Sequence, residues 1–290
     1  MTSRRNLSRY TGYFFALPYL ILFTGFVLLP LFYGLTLSLF RWEMLSPLPA
    51  QFVGIANFQE AFHDNYFWQA LGTTLRFVLL AMPPTIGLAL LIAAGLRAAP
   101  TKRQSFYRAA YFLPTIMTIS VAGILWRWFY NSEFGLFNAF LAPAGVKIPW
   151  ITDVRWAMPS IVLMTLWWTI GGPMMALLAG LQNIPISYYE AASIDGAKPG
   201  TQFWRITLPL LRPVLLFVVV LNVIGSFQVF GQVYMITRGG PELSTRTLVQ
   251  YIYETAFNNY RMGYAAALSW LLFVLIALFS FIQFRLMREQ

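Results

Sequence analysis

Residues 188–209 read Tyr188-Tyr189-Glu190-Ala191-Ala192-Ser193-Ile194-Asp195-Gly196-Ala197-Lys198-Pro199-Gly200-Thr201-Gln202-Phe203-Trp204-Arg205-Ile206-Thr207-Leu208-Pro209. The chain carries no Asp, Glu, Lys or Arg from residue 156 to residue 189, and none from 213 to 236. Both runs exceed the roughly 20 apolar residues that a transmembrane helix needs. The polar segment between them is therefore predicted to lie in water between two membrane spans.

Within this segment, the order of residues predicts a helix, a glycine turn and a second helix. Ser187 and Glu190 have the spacing of a capping box, in which each side chain bonds the other residue's backbone N–H. Gly196 suits the left-handed position just after a helix. Thr201 is a candidate N-cap for a second short helix that ends near Pro209. Spacing alone leaves open an ordinary amphipathic loop at the membrane surface.

The composition is that of an integral membrane protein. Hydrophobic residues make up 58% of the 290 residues and charged residues 10%, whereas soluble domains carry about 25% charged residues. The net charge of +10 does not point to nucleic acid, because the Lys and Arg residues lie in the short segments between apolar runs. The absence of cysteine excludes disulfides and thiol chemistry. The single histidine, His63, is predicted to be a solvated loop residue and not a ligand.

Six uncharged apolar runs predict an all-α membrane protein with six transmembrane helices. They cover residues 10–40, 77–96, 109–126, 156–181, 214–236 and 262–284. Residues 1–10 then form an N-terminal segment, and residues 11–290 form a single transmembrane domain. Lys and Arg are denser in the segments on the side of the two termini than in the longer loops opposite. By the positive-inside rule, both termini and the 188–209 segment are predicted to be cytoplasmic.

The chain lacks the residues that would let it drive transport or catalyse a reaction by itself. None of its three lysines, Lys102, Lys147 and Lys198, precedes a Ser or Thr, so it has no phosphate-binding loop. The span centres contain no ionisable residue, which disfavours an ion-coupled secondary carrier. The spans also lack a histidine pair, a cysteine and a carboxylate pair. These absences favour a pore that draws its energy from another polypeptide.

One family pattern covers the polar segment. Glu190-Ala191-Ala192, then Gly196, then Ile206-x-Leu208-Pro209, resembles the EAA loop of binding-protein-dependent ABC importer permeases. Residues 189–197, 230–241 and 253–267 are similar to the carbohydrate branch of that family, of the maltose, trehalose or glycerol-3-phosphate type. One departure is Gly231, where relatives often carry an acidic residue.

The resemblance implies a type I importer that carries a sugar or a sugar-like solute, with glycerol-3-phosphate or a derivative among the options. A second, usually non-identical permease would pair with this chain in the bacterial inner membrane. Two cytoplasmic ATPase subunits would bind ATP and Mg, so this chain would hold no cofactor and no metal and would not be an enzyme. A solute-binding protein would deliver the solute from outside. An ion-coupled carrier remains the alternative, and a membrane scaffold is a weaker one.

In this family the EAA loop docks on the ATPase, which makes residues 183–212 the expected cytoplasmic coupling loop. The coupling residues implied by the match are Tyr189, Glu190, Ala191, Ala192, Asp195, Gly196 and Ala197. Glu190 could contact the ATPase or only cap its own helix, and the sequence leaves both roles open.

Polar residues inside the spans are candidates for the solute path, because burial in lipid is costly and they should face the interior. The candidates are Asn222, Ser226, Gln228 and Gln232 in the fifth span, and Thr165, Trp167, Trp168 and Thr169 in the fourth. The tryptophans could stack on a sugar ring. As alternatives, the amides could bond the partner permease and the tryptophans could simply pack.

Overall fold

The computed structural model describes residues 13, 15–97 and 99–288 of the chain. The expected N-terminal segment, residues 1–10, lies outside the described residues. The elements in chain order are α1 (Phe15–Ser38), β1 (Phe40–Arg41), β2 (Gln51–Phe52), α2 (Ala56–His63), α3 (Asn65–Arg97), α4 (Thr101–Ile116), α5 (Ile119–Phe129), α6 (Leu136–Leu141), α7 (Val154–Thr169), α8 (Gly171–Gln182), α9 (Ser187–Ile194), α10 (Pro199–Phe227), α11 (Gly231–Ile236), α12 (Leu248–Tyr253) and α13 (Met262–Arg288). The strands form a two-residue antiparallel ladder that pairs Phe40 with Phe52.

Six candidate membrane spans can be identified among the described residues. Four are single helices, namely α1, α3, α10 and α13. Two are bent pairs: α4 and α5 meet at 96°, and α7 and α8 at 48°. The six-span prediction agrees with this count if each bent pair is one span, but several boundaries differ.

The predicted third span, 109–126, is not one straight helix. Pro114 lies in the last turn of α4, and Met117 and Thr118 adopt extended backbone conformations. The Thr118 hydroxyl then accepts the Val121 N–H at 3.4 Å, so Thr118 acts as the N-cap of a new helix. A cap residue within an apolar run thus divides the run into two helices.

The boundaries of the second and fifth spans were also wrong. Helix α3 already begins at Asn65, within the predicted polar loop, and its polar first turns extend the apolar run. Helix α10 runs from Pro199 to Phe227, so the predicted short helix ending near Pro209 and the following span are one element. A π-helical turn, Phe203–Thr207, ends two residues before Pro209. Its altered hydrogen-bond spacing accommodates the proline, which has no N–H to donate.

The described residues fall into two compact units. The first holds residues up to Asp64 together with Ile252–Leu272, and the second holds Asn65–Tyr251 together with the residues from Phe273 onward. In the first unit, the buried Asn57 amide donates to the Ser38 and Phe40 carbonyls at 2.7 and 3.0 Å. His63 is exposed at the end of α2, as expected for a solvated side chain.

The first unit is also held together by polar contacts between distant parts of the sequence. The Arg261 guanidinium pairs with the Glu60 carboxylate at 2.6 Å. The Tyr264 hydroxyl donates to the Asp64 carboxylate at 2.7 Å. These two bonds join the start of α13 to α2 and to the residue that follows it.

In the second unit, α3 packs against α8 and α10 through small residues. Ala89 and Ala93 of α3 are fully buried in a cluster with Leu177 and Leu181 of α8. Gly180 lies so close to α10 that a Cβ there would come within 2.8 Å of the Leu211 side chain. Small side chains let helix backbones approach closely in a membrane, where lipid is as apolar as the protein.

An aromatic cluster fixes the loop that follows α5. Trp126 stacks near Tyr130, Phe137 and Trp167, with ring centroids 5.4 to 5.6 Å apart. The side chain of Asn138 bonds the Ile148 backbone through both N–H and carbonyl groups. The predicted polar loop between the third and fourth spans is therefore an ordered element.

The bend between α7 and α8 generates a prediction about Gly171. A Cβ at this position would lie 2.6 Å from the Tyr111 carbonyl oxygen and 2.8 Å from the Phe112 Cα, both backbone atoms of α4. Gly171→Ala should therefore force α4 and α8 apart and destabilise the protein by about 1–3 kcal/mol. The measurement is thermal unfolding of the detergent-purified protein.

Gly172 provides the matched control. A Cβ there would meet no described atom within 4 Å, so Gly172→Ala should leave the unfolding temperature unchanged or raise it slightly. Equal unfolding temperatures for the two variants would contradict the proposed close contact.

Candidate functional site

Helix α9, at the centre of the polar segment, has an exposed side and an inner side. None of its described residues, 187–194, is buried. Its exposed face, defined here as Tyr188, Glu190, Ala191 and Ile194, includes a side chain, that of Ile194, which is 87% exposed. A mainly apolar, solvent-exposed face on a short helix is a feature of protein-binding surfaces.

The end of α9 confirms the predicted conformation of Gly196. Its φ is 77°, in the left-handed region that favours glycine. The Ala197 N–H donates to the Ala192 carbonyl at 2.8 Å, and the Gly196 N–H donates to the Ser193 carbonyl at 3.1 Å. This pair of bonds is a Schellman motif, which satisfies the last carbonyls of the helix and reverses the chain.

The start of α9 does not confirm the predicted capping box. The N-cap is Ile186, no side chain caps the helix, and Ser187 is the first helical residue. Glu190 forms no side-chain hydrogen bond or ion pair with any described residue. The cap role for Glu190 is therefore wrong, although its charge in the first turn still favours the helix dipole.

The second helix of the segment also begins differently from the prediction. Its N-cap is Lys198 in an extended conformation, and Pro199 occupies the first turn. The prediction of Thr201 as N-cap was therefore wrong. The fixed φ of Pro199 suits the first helical position. Proline also disfavours helical backbone in the residue before it, so the helix begins after Lys198.

Tyr189 lies on the inner side of α9 and holds the helix to its neighbours. Its hydroxyl accepts a hydrogen bond from the Arg97 guanidinium at 2.8 Å and bonds the Thr207 hydroxyl at 2.9 Å. The guanidinium carbon also lies 4.6 Å from the centre of the tyrosine ring. No local sequence pattern predicts the contacts with Arg97 and Thr207, because these residues lie 92 and 18 positions from Tyr189.

A second set of contacts stiffens the turn between α9 and α10. The Gln202 amide donates to the Ser193 hydroxyl at 2.9 Å and to the Ala197 carbonyl at 3.1 Å. The predicted coupling residues divide between the two sides: Glu190, Ala191, Asp195 and Gly196 are exposed, whereas Tyr189, Ala192 and Ala197 are half-buried.

The two helices joined to α9, which are α8 and α10, both line a cavity of about 470 Å³. Residues of α3, α7, α8, α10 and α11 line it. The structure brings six of the eight predicted path residues together there: Asn222, Gln232, Trp168, Thr169, Thr165 and Ser226. The other two lie elsewhere, because Gln228 is exposed at the end of α10 and Trp167 packs 5.4 Å from Trp126.

The cavity offers hydrogen-bonding groups without charge. Of the described residues that line it, none is ionisable. Thr165 and Thr169 donate to backbone carbonyls one turn earlier. The Asn222 amide N–H₂ donates to the Val218 carbonyl at 2.9 Å, which leaves the amide oxygen available. Among described residues, the Gln232 side chain has no hydrogen-bond partner.

Trp168 contributes an aromatic face to the same cavity. Its indole N–H donates to the Met117 carbonyl at 3.1 Å, so the polar end of the ring is already bonded. An apolar cavity with a few convergent polar groups is the usual form of a small-molecule site. This cavity suits an uncharged, hydroxyl-rich molecule. Its amide groups could bond hydroxyls, and its apolar wall and indole face could pack against a sugar ring. No cluster of His, Cys, Asp or Glu able to hold a metal occurs among the described residues.

Comparison with known proteins places these features in a family. The family described as "Binding-protein-dependent transport system inner membrane component" matches residues 85–289. The lactose transport system permease protein LacF of Rhizobium radiobacter is 36% identical, with 100% of this chain and 99% of the relative covered. The sn-glycerol-3-phosphate transport system permease protein UgpA of Agrobacterium fabrum is 34% identical over 96% of this chain and 94% of the relative.

A solved structure has the same fold. A chain of the bacterial alginate ABC transporter, crystallised in complex with an alginate pentasaccharide-bound periplasmic protein, aligns with a TM-score of 0.86. The alignment covers 100% of this chain and 98% of that chain at 21% identity. The chain has the fold of a type I ABC importer permease, and it belongs to the family of inner-membrane components of binding-protein-dependent transport systems.

Proposed function

We propose that this chain is the membrane-spanning permease subunit of an ATP-driven importer for a sugar or sugar-like solute, which a solute-binding protein delivers. The observation that carries the proposal is the uncharged cavity with available amide groups, two of whose lining helices, α8 and α10, connect directly to the exposed helix α9. Relatives named for lactose and for multiple sugars are consistent with this substrate class.

The absence of charge in the cavity bears on the type of solute. A phosphate or carboxylate buried there would lose its hydration without meeting a cationic partner, at a cost of several kcal/mol. Within this chain, the cavity therefore favours uncharged sugars over glycerol-3-phosphate. The same absence, together with the family, counts against the ion-coupled carrier.

The energy of ATP hydrolysis would be transmitted to this chain through the exposed face of α9. The chain has no phosphate-binding loop, so ATP and Mg would be bound by two partner ATPase subunits, and the chain itself would be non-catalytic and without a cofactor. Residues 183–212 would form the coupling loop on the cytoplasmic side, together with both termini and the 1–10 segment, and residues 11–290 would form the transmembrane domain. A second, non-identical permease would complete the pore.

The mechanism follows from the connections of α9. Helices α8 and α10 flank it in the chain, and both line the cavity. A displacement of α9 by a closing ATPase would be passed to both helices through the short, hydrogen-bonded turns at its ends. The exposed Glu190 is free to bond the ATPase, since it has no described partner in this chain. This is hinge-type coupling of a local contact to a global change.

The first prediction tests the left-handed turn at Gly196. Gly196→Val should strain a backbone with a φ of 77°, whereas Gly196→Asn should be tolerated because Asn adopts this conformation readily. The strain is roughly 1–2 kcal/mol, so we expect ATP-dependent uptake by reconstituted Gly196→Val complexes to fall by about tenfold. Assembly is checked by co-purification. Equal uptake by both variants would contradict the proposed role of the turn.

The second prediction compares two amides that the sequence could not distinguish. Gln232→Ala removes a free amide from the cavity, and a lost hydrogen bond to the solute should lower uptake by about threefold to tenfold. Gln228→Ala removes an exposed amide outside the cavity and should leave uptake unchanged. Uptake of labelled solute at subsaturating concentration is the measurement. An equal loss in both variants would argue against the cavity as the solute path.

A further inference from the structure

Three helices that line the cavity also approach α9, but the chain joins only two of them to it. Helices α8 and α10 precede and follow α9 directly. Helix α3 ends at Arg97, which lies 92 residues before Tyr189. Helix α3 packs against α8 at Ala89 and Ala93, and the bond between Arg97 and Tyr189 joins its last turn directly to α9.

We infer that Tyr189 is a positioning residue that couples α3 to α9, so that the 85–97 segment of α3 moves together with α9. The inference rests on the proposed function, because it assumes that α9 receives motion from an ATPase. Tyr189 does not line the cavity and would act on α3 through Arg97.

The geometry of the contact restrains Tyr189 in two ways. The Arg97 guanidinium both donates to the Tyr189 hydroxyl at 2.8 Å and lies 4.6 Å from the ring centre. The hydroxyl is bonded on its other side to Thr207, within the π-helical turn of α10. A movement of α9 that preserves these contacts must carry the last turn of α3 with it.

The packing of the 85–97 segment of α3 favours its movement as a rigid unit. Ala89 and Ala93 are fully buried against α8. The Gln104 amide donates to the Leu96 carbonyl at 2.8 Å and so satisfies a free carbonyl in the last turn. Close packing and a satisfied helix end both limit bending between Thr85 and Arg97.

The point at which α3 can bend lies next to the cavity. Pro83 and Pro84 lie inside the helix, where they remove hydrogen bonds to the preceding turn and favour a kink. Thr85, the first residue after this pair, lines the cavity. A displacement of Arg97 would therefore tilt the 85–97 segment about the prolines, with the largest movement at Arg97 and the smallest at Thr85.

The absence of cysteine in the chain permits a direct structural test. Spin labels at Ser187→Cys on α9 and Leu91→Cys on α3 would report the distance between these helices in the complete reconstituted complex. Leu91 is 68% exposed and Ser187 is exposed, so both accept a label. With Tyr189 present, we expect one narrow distance that is the same in the resting and the ATP-plus-vanadate states. In Tyr189→Phe, the distribution should broaden or differ between the states.

A functional measurement separates positioning from general stability. Tyr189→Phe keeps the ring but removes the hydroxyl, and we expect the ratio of ATP hydrolysed to solute imported to rise by about threefold to tenfold. Arg97→Lys keeps the charge and a donor and should be intermediate, whereas Arg97→Met should match Tyr189→Phe. Tyr107→Phe, at a half-exposed tyrosine on α4, is the control and should leave the ratio unchanged.

Each outcome decides the inference. It is overturned if Tyr189→Phe keeps both the narrow distance and the parental ratio, or if the distance changes between states with Tyr189 present. If Tyr189→Phe fails to assemble, Arg97→Met and Arg97→Lys supply the same comparison. Failure of the proposed function would look different, because the unmodified complex would then show no ATP-dependent import at all.

Discussion

The second unit depends on small residues that let helix backbones approach one another closely. In a membrane, lipid solvates apolar side chains as well as protein does, so helices associate through packing and hydrogen bonds. Ala89 and Ala93 of α3, Gly171 and Gly180 of α8 provide these contacts. Their positions determine where the helices touch and, by the same geometry, where they separate to leave a cavity.

The polar side chains of the spans form two sets. Some bond the protein backbone, and others keep hydrogen-bonding groups available in the cavity. Thr165 and Thr169 use their hydroxyls on their own helix, and the Trp168 N–H is bonded to the backbone near the α4–α5 break. Asn222 and Gln232 retain hydrogen-bonding capacity and face the cavity. A pore for hydroxylated molecules needs this kind of lining, in which polar groups are present but no fixed charge would hold the solute too tightly.

Features of the structure that depend on neighbouring residues could be predicted from the sequence. Gly196 was identified because a left-handed helix end has few other solutions, and most of the candidates line one cavity because polar side chains in an apolar run must turn inward. Competing local signals were harder to rank: Pro199 prevailed over Thr201 as the start of α10, and Ser187 did not cap α9 although its spacing was right. The contact of Tyr189 with Arg97 had no sequence signal, since it depends on the tertiary packing of α3.

The length of α3 has a consequence for the role of the membrane itself. Its 33 residues span about 50 Å at 1.5 Å per residue, whereas the hydrocarbon core measures roughly 30 Å. Its uncharged run, residues 77–96, is about as long as that core, so a thinner bilayer would increase the tilt of the helix. Because its last residue, Arg97, is bonded to Tyr189 of α9, a change of tilt would alter the geometry of that bond. Lipid chain length would thereby affect the contact between α3 and α9.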